Sequence, residues 1–379
     1  MPAAVYHIDA RSKSAKTNTL AKLSALLQKL DAERPQAIKQ GELCAIKIHF
    51  GELGNDGYLS PVHARVAADY VKSKGAKPFY ADTNTLYSGS RANAVDHLNV
   101  AVAHGFVPEV AGAPVLIADG LKSGDWREVA LPASCTRFKA AKIASAFVDA
   151  DSMLVLSHFK GHEMAGFGGA VKNLAMGCAP YLGKREQHSV KLVVKADKCV
   201  ACGGCAEVCP VGAASLPERA AGGPAPKASI DPALCIGCGE CLSFCPPKAI
   251  RMDWEVALPE FTEKMTEYAL GAVLGKEGKI LYINAVKDVV PICDCVPWSD
   301  APVVPDLGYL ASFDPVALDQ ACLDLVTAAP VRPGSSLDGK AGPGDDKFKA
   351  LHPNTVGELQ LSYGERIGLG SRAYALIKL

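Results

Sequence analysis

The sequence predicts an α/β fold: a mainly parallel sheet with helices on both faces, interrupted by a small α+β insert. Two observations predict it. Short apolar runs alternate with longer helical patterns up to about residue 190 and again after Met252, and eight cysteines in two identically spaced runs separate the halves. Val5–Ile8, Cys44–Phe50, Pro78–Ala81, Val115–Ile117 and Met153–Leu156 have the length and composition of buried strands. Thr19–Leu30, Ser60–Lys74, Arg91–His104 and Ala140–Ala150 show helical spacing. Ser60 is a good N-cap with Pro61 at the first helical position, and Gly75 is a stop. Beyond the insert, Glu260–Leu274 reads as a helix and Lys279–Val286 as a strand. Asp314 caps a helix running from Pro315 to about Thr327, on which Asp319 and Asp324 are expected to lie on the solvated face. Strands alternating with helices imply a parallel sheet. The expected division is 1–190 with 254–379 as one α/β domain and 191–253 as the insert. Ala220–Pro226 links the insert's halves, and Pro330–Gly344 forms a long loop.

The insert's chemistry follows from spacing. Cys199, Cys202, Cys205 and Cys209 precede Pro210; Cys235, Cys238, Cys241 and Cys245 precede Pro246. Each run reads C-x₂-C-x₂-C-x₃-C-P, the ligand pattern of a bacterial ferredoxin with two 4Fe–4S clusters, in which the fourth cysteine serves the other cluster. One cluster would use Cys199, Cys202, Cys205 and Cys245, the other Cys235, Cys238, Cys241 and Cys209. Zinc would favour two separated C-x₂-C pairs, and a disulfide framework a small secreted domain. Such a unit moves single electrons at low potential and implies a protein partner that donates or accepts them.

Forty basic and forty acidic residues among 379 give no net charge, so no global bias favours nucleic acid or an anionic membrane. No apolar run approaches the roughly 18 residues of a membrane span, and Met1–Arg11 does not read as a signal peptide. Fourteen cysteines, eight of them reading as cluster ligands, suggest a reducing cytoplasm.

Several segments resemble one family. His158-Phe159-Lys160-Gly161-His162, the run Gly166–Cys178, Asp82–Tyr87, Lys47–Glu52, Cys293-Asp294-Cys295 and Pro305–Gly308 with Asp314-Pro315 are similar to the uncharacterised iron–sulfur centre proteins of the domain-of-unknown-function 362 family. The resemblance implies an α/β domain paired with a two-cluster ferredoxin and leaves the reaction open.

The residues themselves suggest a second site. His49, Asp82, Asn84, His158 and Lys160 fall just after predicted strand ends, where open α/β sheets bind ligands; each also suits a turn. The glycine run ending at Gly168-Gly169 leads into a helical stretch with Lys172 and Asn173. It is either a tight turn or, with Lys160 and His162, a site for an anion. It is neither a Walker A loop nor a dinucleotide fingerprint, since Val171 stands at the third glycine's place. Gly161 argues against a helix that would put His158 and His162 on one face. Cys44, Cys135 and Cys322 read as buried small hydrophobes. Cys178, Cys293 and Cys295, with His188 or with His158 and His162, could bind an additional metal, form a reactive thiol pair, or be structural.

Three functions fit this pattern. The first is an oxidoreductase in which the clusters feed a pocket that reduces a small anionic substrate, with His49, His158 or His188 supplying protons. The second is an electron carrier whose α/β domain docks a partner enzyme. The third handles a metal or cluster at Cys178, Cys293 and Cys295.

Overall fold

A computed structural model describes every residue except 1, 88, 189–191, 219–222, 236–240, 242, 243 and 253. Cys238, part of the Ala220–Pro226 link and the expected boundaries at 191 and 253 therefore lie outside the described residues. Eight strands form the main sheet: β1 (Ala3–Ile8), β2 (Leu43–Lys47), β3 (Lys77–Asp82), β4 (Val115–Ile117), β5 (Ser152–His158), β6 (Ile280–Val286), β7 (Gly308–Ser312) and β8 (Tyr374–Lys378). Their order is β8-β1-β7-β6-β5-β2-β3-β4. Only β7 pairs antiparallel with its neighbours, β1 and β6; the other pairings are parallel. The α/β fold with a mostly parallel sheet is thus as expected.

Side chains alternate across this sheet, as the two-residue period of a strand requires. Ala45, Met153 and Val155 join one core, while Cys44, Ile46, Leu154 and Leu156 join the other. Helices Ala170–Gly177, Trp254–Val273, Pro315–Ala328 and Leu359–Ile367 contribute to the first core. Thr19–Glu33 and Pro61–Ser73 cover the second. Leu23, Leu26, Leu27 and Leu30 recur at helical spacing and are fully buried, each contributing about 2 kcal/mol. The expected caps form: Ser60 accepts from Val62 N–H, and Asp314 from Val316 and Ala317 N–H.

The strand order fixes where a ligand can enter. From β2 the chain moves outward through β3 to β4, then returns to lay β5 on β2's other side and continues to β6. β2 and β5 are therefore neighbours whose onward connections diverge, and a crevice opens beyond their carboxyl ends.

Two expectations are corrected. Ala140–Ala150 is not one helix: Ala140–Ala144 is a strand antiparallel to Trp126–Ala130, followed by a helix only over Ser145–Asp149. Ala141 and Ile143 turn inward alternately, and a short apolar run does not separate the two periods. Asp319 is not on a solvated face. Its helix packs against β1, β6, β7 and the helices Ala170–Gly177 and Leu359–Ile367, so almost every side is covered. Asp324, on the same helix, is exposed as expected.

Asp319 instead holds the helix Ala170–Gly177. Its carboxylate accepts from Ala170 N–H at 2.8 Å, Val171 N–H at 2.9 Å and Asn284 Nδ2 at 2.6 Å. A methyl group at Gly169 would overlap that carboxylate, which is why glycine stands there.

Residues 192–252 form small antiparallel pairs, Leu192–Val194 with Ile250–Met252 and Ala214–Ser215 with Ser229–Ile230. Backbone bonds repeat at the 36-residue interval of the cysteine runs. Cys199 N–H bonds Lys195 O (3.1 Å) as Cys235 N–H bonds Asp231 O (2.9 Å). Lys195 N–H bonds Ala249 O (2.7 Å) as Asp231 N–H bonds Ala213 O (2.8 Å).

Replacing Asp319 by alanine strands three buried donors, two of them backbone amides. The expected cost is about 3–5 kcal/mol, read as a lowered denaturation midpoint in urea.

Candidate functional site

A cavity of about 320 Å³ lies at the switch point. His49, Asp82, His158, Lys160, His162, Gly168, Gly169, Lys172, Asn173, His188, Cys293 and Cys295 all line it. Two expected residues do not. Asn84 donates to Asp119 Oδ1 (3.1 Å) and Gly120 O (2.9 Å), tying one loop to another. Cys178 is fully buried off the cavity wall, and burial pushes its thiol up to about 12.

Buried cations surround the cavity, and most have an acidic partner. Lys47 Nζ lies 3.1 Å from Asp82 Oδ1 and donates to Asn173 Oδ1 at 2.7 Å. Gly177 gives this lysine room, since a methyl there would overlap its end. Burial opposes ionisation of Asp82, yet Lys47, joined by Arg91, outweighs it and holds the carboxyl well below its usual range. Arg91 bonds Glu52 Oε2 (3.0 Å) and Tyr87 Oη (3.0 Å), with Nη1 3.1 Å from His49 Nε2. His49 Nδ1 accepts from Gly51 N–H at 2.9 Å. Burial, followed by Arg91, lowers this imidazole to about 3, so it is neutral. Burial likewise lowers His188, which packs on Phe261, to about 3.

Asp294 has no solvent exposure. Both its oxygens lie 3.0 Å from His158 Nδ1, and Oδ2 lies 3.2 Å from Lys160 Nζ. His158 and Lys160 overcome burial and hold its carboxyl at about 2. His158 Nε2 faces the carbonyls of Lys287 (2.9 Å) and Asp288 (3.0 Å), so both ring nitrogens meet acceptors.

Asp294 sits in a turn closed by Val296 N–H to Cys293 O at 3.2 Å. Both flanking thiols reach the cavity, and Lys172 Nζ lies 3.6 Å from Cys293 Sγ. Ligand atoms of His162, Cys293 and Cys295 lie within 4.8 Å of one another, a group that could hold a metal ion. Of the residues expected at a metal site, His162, Cys293 and Cys295 come together and Cys178 does not join them. The tautomer of His162 bears on the chemistry. Its Nδ1 accepts from Met164 N–H (3.1 Å) and Ala165 N–H (3.0 Å), leaving the ring proton on Nε2. Metal-bound histidines instead donate from the second nitrogen. A metal held by His162, Cys293 and Cys295 would have to displace that Nε2 proton.

In residues 192–252 a small cavity is lined by Cys199, Cys202, Cys205 and Cys245, the last from the second run. Ala213 and Ala214 N–H point at Cys209 Sγ (3.2 and 3.4 Å), and Ala249 N–H at Cys245 Sγ (3.2 Å).

Sequence reasoning assigned no role to Lys47, Arg91, Lys184 or Asp294. A signal existed for Lys47, a lysine in the otherwise apolar run Cys44–Ile48, since buried lysines are rare without a partner. Arg91 and Lys184 carry no comparable mark, because their partners come from distant segments.

The chain belongs to the family described as a domain of unknown function, DUF362, which matches residues 44–324. Similar solved structures include the lactate racemase apoprotein from Thermoanaerobacterium thermosaccharolyticum (13% identity, TM-score 0.37, covering 76% of this chain and 51% of that one). Another is a protein from Thermotoga maritima (10% identity, TM-score 0.33, covering 72% and 52%). The chain spans about half the length of either. No curated protein matches. Among the described residues, no helix is long and apolar enough to cross a membrane.

Lys184 supplies a test of the cavity's electrostatics. Its ammonium donates to Ala179 O (2.8 Å) and Thr83 Oγ1. Burial lowers it to about 8 despite Asp119 and Asp82. Between pH 8 and about 10.5 the unfolded chain holds a proton that the folded chain has released. Lys184 should therefore contribute a rise in stability with pH in that window, by up to about 1.4 kcal/mol per unit, against the fall contributed there by thiols that burial pushes up. The slope should accordingly be less positive in Lys184→Met than in the wild type when urea midpoints of the two proteins are compared.

Proposed function

We propose that this protein is an iron–sulfur redox protein that passes low-potential electrons through two 4Fe–4S clusters to the cavity on the main sheet, where a small anionic substrate is reduced. The observation that carries the reading is the set of thiols around the insert's cavity. Cys199, Cys202 and Cys205 are joined there by Cys245 from the other run, the crossing that two-cluster ferredoxins use. Cys235, Cys238, Cys241 and Cys209 would hold the second cluster. Bound there, the clusters would supply one-electron transfer at potentials set partly by N–H bonds to the ligand sulfurs, such as those to Cys209 and Cys245.

The size of the insert's core supports the same reading. Leu192, Cys205, Ala214, Cys241 and Ile250 are its buried cluster, with Cys209, Cys235 and Cys245 packed against them. So small an apolar core needs further bonds to be stable, and a bound metal centre provides them.

In the main cavity, anion binding falls to Lys172. Lys160 is paired with Asp294, and the helix N-terminus offered by Ala170 and Val171 is filled by Asp319. His49 and His158 hold the walls through fixed contacts, which leaves His188, kept neutral by burial, as a candidate that could relay a proton but holds none in reserve. A partner that exchanges electrons would meet Val200 and Phe244, exposed apolar side chains beside Cys199 and Cys245. That patch equally favours the carrier reading, in which the α/β part docks an enzyme.

Protein purified without oxygen should carry about eight irons and show reduced 4Fe–4S signals in EPR. Lys172→Ala should keep both but slow reoxidation by small anionic acceptors about tenfold or more, a loss of about 1.4 kcal/mol of transition-state binding. A wild-type protein that keeps its electrons against every such acceptor would remove the substrate and leave the carrier.

A further inference from the structure

We propose that Cys293 and Cys295 form a redox-active dithiol–disulfide pair in the main cavity, one that collects electrons singly and returns them two at a time. The backbone argues first. Residues two apart in a strand hold their side chains too far apart to bond, but here the turn from Cys293 to Val296 brings them to one side. Their sulfurs lie within 4.8 Å of each other, and both line the cavity.

The turn is fixed from several directions. Asp294 at its corner is held by His158 and Lys160. Glu52 N–H donates to Asp294 O (2.9 Å), Tyr87 Oη to Cys295 O (3.0 Å) and Asn55 Nδ2 to Val296 O (3.2 Å). A disulfide across so short a loop needs such geometry to form and to reopen in place.

The surroundings suit the reduced state. Cys295 shares its proton with Cys293, and Lys172, His162 and Lys160 add to that stabilisation, together holding the Cys293 thiol far below its usual range against burial. The cysteines off the cavity wall behave oppositely: burial pushes Cys44 and Cys178 up to about 12 and Cys135 to about 11.

The step balances as follows. Two electrons and one proton enter the disulfide, the S–S bond breaks, and the products are the Cys295 thiol and the Cys293 thiolate beside Lys172. When the S–S bond forms again, the same two electrons and one proton pass to a two-electron acceptor in the cavity. The source of the electrons rests on the iron–sulfur reading above; the thiol couple does not.

The test uses the full-length protein, equilibrated without oxygen in mixtures of reduced and oxidised dithiothreitol, then alkylated with iodoacetamide and mapped by peptide mass spectrometry. At the oxidising end Cys293 and Cys295 should lose alkylation together, their peptide lighter by two hydrogens, and regain it on reduction. In Cys293→Ser the remaining Cys295 should stay alkylated throughout, and Cys293 likewise in Cys295→Ser. Wild-type protein that alkylates both thiols at every ratio overturns the proposal. So does protection that follows a stoichiometric metal ion lost in Cys293→Ser. Iron counted on the same samples judges the cluster reading separately, since a missing cluster leaves the alkylation pattern of this pair to be read by itself.

Discussion

A carboxylate cut off from water stays ionised only where charge or hydrogen bonds reach it, and two side chains supply them to Asp294. His158 comes from the end of β5 and Lys160 from two residues beyond, while Asp294 belongs to the loop after β6. The interaction therefore joins neighbouring strands of the switch point above the sheet, where no ladder bonds can. Removing one partner would leave an uncompensated buried charge, a cost of about 3–5 kcal/mol. That cost keeps the Cys293–Val296 turn in one conformation. The positions of the cavity's thiols follow from this ion pair.

The same logic organises the remaining charges. Lys47 answers Asp82, Arg91 answers Glu52, and Lys160 answers Asp294. Each pair bridges segments far apart in sequence, so the cavity wall is assembled by charge neutralisation as much as by apolar packing. Lys172 differs, because its neighbour is the Cys293 sulfur. A cation whose partner is a reducible sulfur has a charge balance that changes with redox state. An anion would therefore be held more firmly when the thiolate is gone. Substrate binding and the state of the thiols would then be coupled through one ammonium group.

Much of the fold was legible because its signals are local. β1, β3 and β5 announce themselves as apolar runs, and Ser60-Pro61 and Asp314-Pro315 place helix starts by cap chemistry that needs no tertiary partner. The errors arose where a distant segment decides. Ala140–Ala144 is a strand because Trp126–Ala130 lies beside it. Asp319 is buried because the helix Ala170–Gly177 needs an acceptor at its first amides. The site shows the same split. His49, Asp82, His158 and Lys160 follow strand ends and line one crevice, since the sheet's direction carries them there, whereas Asn84 turns away to Asp119. Which nitrogen of His162 bears the proton depends on Met164 and Ala165 amides, which no spacing reveals.

The proposed function gives the two halves of the molecule different electron counts. Iron–sulfur clusters exchange electrons one at a time, whereas most reductions of small organic anions need two. A protein joining them must store the first electron until the second arrives or hold an intermediate safely. Two clusters in the insert would meet that need from the supply side, each holding one. The Cys293–Cys295 pair would meet it from the delivery side, because a disulfide's stable states differ by two electrons. Either store could serve alone for slow chemistry. With both present, neither a half-reduced disulfide nor a half-reduced substrate would have to persist in the cavity, and on the proposed reading that requirement would account for a thiol pair held by a buried ion pair at the crevice of the sheet.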